Sequence, residues 1–197
     1  MYLYLVRHGQ SEGNVLKTFH GQTDYPLTQT GREQAKLAAE KLRADGVKFT
    51  RCCASDLSRA WDTALACLEG RDIEAEVCPA LREQYVGEIE GLSWDEMGEK
   101  FPGVREKFIG DWLNTTPPGG ESPEEMKARV ATCVDEIITR GEDTLLAAHF
   151  GSLSLVLYHL GIIDETQAFE ETWAFGQGTY SAIRIEDGKV ELLCFNR

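Results

Sequence analysis

The chain contains no apolar run of membrane-spanning length, no C-x-x-C spacing, no internal repeat and no low-complexity tract. The first absence argues against a transmembrane helix, which needs about 20 consecutive apolar residues. The second argues against a zinc ribbon or a dithiol redox motif. The six cysteines (Cys52, Cys53, Cys67, Cys78, Cys133 and Cys194) mostly sit in apolar stretches, and read as free thiols in a reducing environment. Basic residues are also scarce, 20 Lys and Arg against 33 Asp and Glu, for a formal net charge of −13. That balance disfavours nucleic acid and anionic membranes as partners. Any anion site must therefore be a local concentration of cations. The first residues do not show a charged leader followed by an apolar core and a cleavage site, and a cytoplasmic location is the expectation.

What is present points to one domain. A chain of 197 residues, 42% apolar, can bury roughly 70% of its unfolded surface in a single core. Residues 1–6 form a β-favouring run that breaks into Arg7-His8-Gly9, and residues 7–27 read as a polar loop. Thr30 with Glu33 has the spacing of a capping box for a helix running to Gly46 through Ala35, Ala38 and Leu42. A short strand is expected over 47–53, followed by Ser55-Asp56 as the cap of a helix with Leu57, Trp61, Ala64 and Leu68 on one face. Residues 73–78 suit a third strand.

Residues 81–121 change character, with seven glycines and the aromatic anchors Trp94, Phe101, Phe108 and Trp112. They suggest an excursion packed over the site rather than a second domain. The aromatics read as its core, with one of them lining a pocket. Ser122-Pro123-Glu124-Glu125 then opens a helix to Gly141. A strand over 144–148 is followed by His149 and an apolar helix to Gly161. Asp187-Gly188 marks a hairpin between 180–185 and 190–195. The alternation of strand and helix predicts an α/β fold, a three-layer αβα sandwich on a mainly parallel sheet.

In such a sheet the carboxyl ends of the parallel strands face one side, where ligands bind. The first strand brings Arg7 and His8 to that edge, the second is followed by Arg59, the third by Glu83, and the fourth by His149. An imidazole can attack phosphorus, guanidinium groups can hold phosphate oxygens, and Glu83 brings a carboxylate to the same edge. Glu88 and Glu90 lie in the same loop as Glu83 and are rival carboxylates to it. His20 and His159 read as structural.

At these residues the chain resembles the histidine phosphatase superfamily, with its phosphoglycerate-mutase-like fold. The pattern lies in Arg7-His8-Gly9 through Asn14, Gly21 to Thr28, Ser55 to Ala60, Leu81 to Glu83, and His149 to Gly151, in that order over essentially the whole chain. The resemblance implies a two-step reaction in which His8 becomes phosphohistidine. Arg7, Arg59 and His149 would stabilise the transferring oxygens, Asn14 and Gln22 would add neutral donors, and Glu83 would serve as proton donor and then acceptor. It implies no metal and no cofactor, and a small phosphate ester as the bound partner; a homodimer is left open.

Within the superfamily, hydrolysis is favoured over mutase chemistry. The mutases continue the L-x-E glutamate with E-R-H-Y-G, whereas this chain reads Glu83-Gln84-Tyr85-Val86-Gly87 without that arginine. The runs 117–122 and 176–183 are similar to α-ribazole phosphatases of cobalamin biosynthesis, a group close to broad-spectrum phosphatases. Phe150 departs from the glycine usual after the second histidine, and would narrow the pocket or stack on a base. Two alternatives stand beside hydrolysis: a phosphoglycerate mutase, and a non-catalytic module that binds a phosphorylated ligand. The second is disfavoured because the chain keeps both His8 and Glu83.

Overall fold

Alternating burial in the strands decides the architecture. In β1 (Tyr2–Arg7), Leu3 and Leu5 join one core cluster while Tyr4 and Val6 join another, and all four are buried. In β4 (Thr144–Ala148), Leu146 and Ala148 separate from Leu145 and Ala147 in the same way. Strands buried on both faces require helices on both. One face is covered by α6 (Pro123–Arg140) and α7 (Phe150–His159), through residues such as Met126, Val130, Val134, Leu153 and Leu157. The other is covered by α2 (Gln29–Ala44) and α3 (Ser58–Leu68), through Ala38, Leu42, Ala64 and Leu68. Each fully buried leucine among these contributes about 1.5–3 kcal/mol relative to exposure. The result is the three-layer αβα sandwich.

This computed structural model describes residues 1–197, with Ile109, Gly110 and Phe169 outside its side-chain description. β2 (Arg51–Ala54), β3 (Ala75–Val77), β5 (Tyr180–Glu186) and β6 (Lys189–Cys194) complete a six-stranded sheet of order β3-β2-β4-β1-β5-β6. The first four strands in that order are mutually parallel, and β5 and β6 are antiparallel. Asp187 and Gly188 both take positive φ, 50° and 73°, as a two-residue hairpin turn requires.

Several local expectations shift. The polar loop after β1 contains a short helix, α1 (Glu12–Leu16), closed by a reciprocal cap between Ser11 and Asn14. One turn is too short to leave a periodic signal. Helix α2 is capped by Thr28, whose Oγ1 accepts from Gly31 N at 3.0 Å, so Thr30 lies inside the first turn and is not the cap. The strand expected from residue 47 begins at Arg51, because Val47 N closes the end of α2 on Leu42 O and Gly46 takes φ +68°. α3 has Leu57 at its N-cap, which frees Ser55 and Asp56 for other partners.

Between β3 and α6 the chain forms α4 (Trp94–Lys100) and α5 (Val104–Asp111). Val86, Ile89, Met97 and Phe108 build a small third cluster there, against which Phe19, Leu92, Phe101, Val104 and Trp112 pack.

Candidate active site

Three parallel strands end side by side. His8 N donates to Ala148 O and Ser55 N to Ala147 O, both at 3.0 Å, so the ladders continue one residue past β1 and β2. His149 follows Ala148 directly. His8, Ser55 and His149 thus meet at one edge, with exposures of 4%, 0% and 0%.

His8 Nδ1 lies 2.7 Å from Gly9 O. A carbonyl only accepts, so Nδ1 carries the proton and Nε2 keeps its lone pair. Burial, then the charges of Arg59 and Arg7, hold this imidazole well below its usual pKa, against the opposing pull of the Gly9 carbonyl. The ring is therefore neutral at neutral pH. Its backbone is wedged against α2: a Cβ at Gly9 would lie 2.2 Å from Gly31 O, and one at Gly31 would lie 2.0 Å from Gln10 O. Neither position admits a side chain without moving the loop that carries His8.

The His149 ring centroid is 5.1 Å from that of His8, and its Nε2 is 2.8 Å from Ser55 Oγ. Burial followed by the Arg59 charge also pushes His149 well below its ordinary value. Ser55, whose position suggested a helix cap, instead holds this ring.

Arg59 is only 1% exposed. It donates through Nη1 to Thr23 O (3.0 Å) and through Nη2 to Gly21 O (2.8 Å) and His20 O (3.3 Å). Arg7 Nη1 donates to Phe175 O at 2.8 Å, and its guanidinium carbon lies 5.6 Å from the centre of the Phe150 ring. Burial lowers the pKa of both groups from the usual arginine value, with the Glu83 charge opposing. Neither joins a salt bridge among the described residues.

Glu83 faces these cations. Its Oε2 accepts from Gly151 N at 2.9 Å and its Oε1 from Gln84 N at 3.0 Å. A Cβ at Gly151 would come within 2.3 Å of Glu83 Oε1, so glycine is required for the carboxylate to reach the start of α7. The competing carboxylates do not share this place. Glu90 is held by Gln22 N (2.8 Å) and Thr23 Oγ1 (2.7 Å), and neither it nor Glu88 lines the cavity.

Arg7, His8, Asn14, Arg59 and Glu83 border one cavity of about 320 Å³. Asn14 Oδ1 accepts from Ser11 N (2.9 Å) and Gln177 Nε2 (3.1 Å), leaving its Nδ2 group facing His20 Nε2 at 3.3 Å. Two expected residues stand outside the lining. His149 is wholly buried beside His8. Gln22 is turned away, with Nε2 donating to Glu83 O (3.1 Å) and Oε1 accepting from Arg82 Nη1 (3.3 Å).

His20, expected to be structural, lines the cavity; its Nδ1 donates to Thr18 O at 2.8 Å. Nothing in the loop composition marks it. Of the excursion's aromatics, Trp94, Phe108 and Trp112 border the cavity, together with Phe19 and Phe150, and Phe101 does not. The Phe19 ring meets Trp94 at 4.5 Å and Phe108 at 6.0 Å, and Trp112 meets Phe150 at 6.4 Å. The arrangement is a cationic floor beneath an aromatic wall.

Comparison with known proteins gives the same class. Residues 3–197 match the histidine phosphatase superfamily (branch 1), and the chain belongs to that superfamily. It is 33% identical to the adenosylcobalamin/alpha-ribazole phosphatase of Salmonella typhimurium, over 100% of this chain and 96% of that protein. It is 37% identical to a 2,3-bisphosphoglycerate-dependent phosphoglycerate mutase of Methylobacterium sp., over 87% of this chain and 86% of the relative. The crystal structure of the alpha-ribazole phosphatase from Shigella flexneri superposes with a TM-score of 0.90 at 28% identity, covering 100% of this chain and 96% of that one.

Proposed function

We propose that the protein hydrolyses a small phosphate monoester through a phosphohistidine on His8, without a metal. One observation carries this reading: two guanidinium groups that join no salt bridge among the described residues border a cavity beside a neutral, buried imidazole whose Nδ1 is fixed on a carbonyl. A phosphate dianion in the cavity pairs with both guanidinium groups. His8 Nε2 attacks phosphorus in line, and the bond to the ester oxygen breaks as Glu83 donates a proton to it. Arg7 and Arg59 stabilise the equatorial oxygens, with Asn14 as a neutral donor and His149 supporting the ring beside it. Glu83 then takes a proton from the incoming water, which attacks phosphorus and releases His8 and inorganic phosphate.

The aromatic wall favours a leaving group with an apolar or aromatic surface. Alpha-ribazole 5′-phosphate is the leading candidate, supported by the relatives of that name. Hydrolysis of p-nitrophenyl phosphate tests the class. The wild type should turn it over and His8→Ala should lose on the order of 10⁴-fold or more in kcat. Retention of activity by His8→Ala would sink the phosphohistidine. A panel of phosphorylated metabolites then ranks substrates.

Mutase-named relatives of similar identity favour a second reading, phosphoglycerate mutase. Against it, Arg7 and Arg59 are the only arginine or lysine residues among the described residues that line the cavity, leaving no further cation there for a substrate carboxylate. Isomerisation of 3-phosphoglycerate to 2-phosphoglycerate, with the bisphosphate present, would reverse the preference.

A further inference from the structure

We infer that Arg129, paired with Glu121, is a positioning residue for Glu83. Arg129 lies on α6, outside the cavity lining, and on its helix it looks like an ordinary solvated cation. Its guanidinium instead grips the segment that carries the carboxylate. Nη1 donates to Ala80 O at 2.7 Å and to Arg82 O at 2.8 Å, and Nη2 donates to Glu83 O at 3.1 Å. The remaining two N–H groups go to one carboxylate, Nε to Glu121 Oε1 at 2.5 Å and Nη2 to Glu121 Oε2 at 2.8 Å. Five donors meet five acceptors, which is the full capacity of a guanidinium group.

Glu121 secures the same segment from its other end. Its backbone N donates to Tyr85 O at 2.8 Å, and its carbonyl accepts from Gln84 Nε2 at 2.9 Å. Residues 80–83 are thus held by Arg129 and residues 84–85 by the strand of chain around Glu121. Among the described residues the Glu83 carboxylate accepts two hydrogen bonds, from Gln84 N and Gly151 N. Its direction is therefore set by the backbone conformation of residues 82–84. A proton donor must sit within about 2.6–3.2 Å of the oxygen it protonates, and a 1 Å displacement costs on the order of 10²-fold in rate. Lysine offers three donors from a point and cannot reproduce the planar fork.

This inference rests on the reading of Glu83 as proton donor, and the test separates the two. Arg129→Ala, Arg129→Lys and Glu121→Gln are compared with Glu83→Gln on an alkyl phosphate and on p-nitrophenyl phosphate, whose leaving group needs little protonation. The Arg129 variants should lose about 10²-fold in kcat on the alkyl ester, and about threefold or less on the aryl ester, with KM nearly unchanged. Glu121→Gln should show the same selectivity more weakly. Arg129→Ala combined with Glu83→Gln should be no slower on the alkyl ester than Glu83→Gln alone. Should Arg129→Ala fail to fold, Arg129→Lys and Glu121→Gln carry the test. Equal losses on both esters, or additive losses in the double variant, overturn the inference while Glu83→Gln still discriminates between esters. If Glu83→Gln itself affects both esters equally, the proton-donor reading falls and the inference with it.

Discussion

The floor and the wall of the cavity are built to different standards. Floor residues stand just past the strand ends of the central sheet or, like Arg59, in the first turn of the helix that follows, and the strands pack into two large clusters. His8 is fixed on Gly9 O, His149 on Ser55 Oγ, and Arg59 on three carbonyls. The wall rests on four buried residues, Val86, Ile89, Met97 and Phe108, and meets the rest of the chain through a few contacts such as Phe19 N to Leu92 O at 2.8 Å. Directional bonds fix positions to within tenths of an ångström, whereas ring packing tolerates sliding. Under the proposed hydrolysis, the difference assigns rate to the floor and choice of substrate to the wall.

The sharpest way to break that division is at the floor. Gly151→Ala puts a methyl group where Glu83 Oε1 now sits. It should lower kcat on alkyl esters by about 10²-fold while the melting temperature moves little, because the clash falls on a side chain. Unchanged alkyl-ester kinetics would show that the carboxylate is free to stand elsewhere. At the wall, Trp94→Ala should raise KM for aryl and other aromatic-bearing esters by about three- to tenfold, the worth of one aromatic contact, and leave kcat unchanged. Trp94 is 41% exposed, so folding should survive. A fall in kcat with constant KM would put the wall into the chemistry.

The smallest effect concerns stability. Burial depresses the pKa of His8 and His149 well below 6.5, and that of His20 less so. Above pH 6.5 each ring is neutral both folded and unfolded, and folding pays no protonation cost. Below it the unfolded chain binds protons that the folded chain refuses, so stability falls with pH. Each strongly depressed imidazole should contribute about 1 kcal/mol between pH 6.5 and 5.5, the slope approaching about 1.4 kcal/mol per pH unit at lower pH. Urea unfolding at pH 6.5 and 5.5 measures the slope, and His149→Gln should flatten it by about that amount. An unchanged slope would mean the ring is protonated in the fold.

How much of this the sequence announces follows the same division. Residues that leave a parallel strand and enter the edge, Arg7, His8 and His149, can be placed from strand order alone, and Glu83 from its position after the third strand. The sheet and its two helical layers follow from patterning in residues such as Leu3 to Val6. Ser55 was not legible, since a serine before a helix reads as a cap until Leu57 is seen to take that place. Arg129 was not legible either, because a cation on an amphipathic helix carries no sign of which carbonyls it meets. Gln22 fits the family pattern, yet its amide faces Glu83 O and Arg82, which only the three-dimensional path of the loop determines.

The contact between Gly9 and Gly31 limits how the protein can be improved. Gly31 lies in the first turn of α2, where replacing glycine by alanine ordinarily stabilises a helix by up to about 1 kcal/mol. Here the added methyl group would press on the Gln10 carbonyl, two residues from His8. A stabilisation campaign guided by helix propensity would select the change and displace the His8 imidazole. The loop after β1 sets the sequence of a helix it does not belong to.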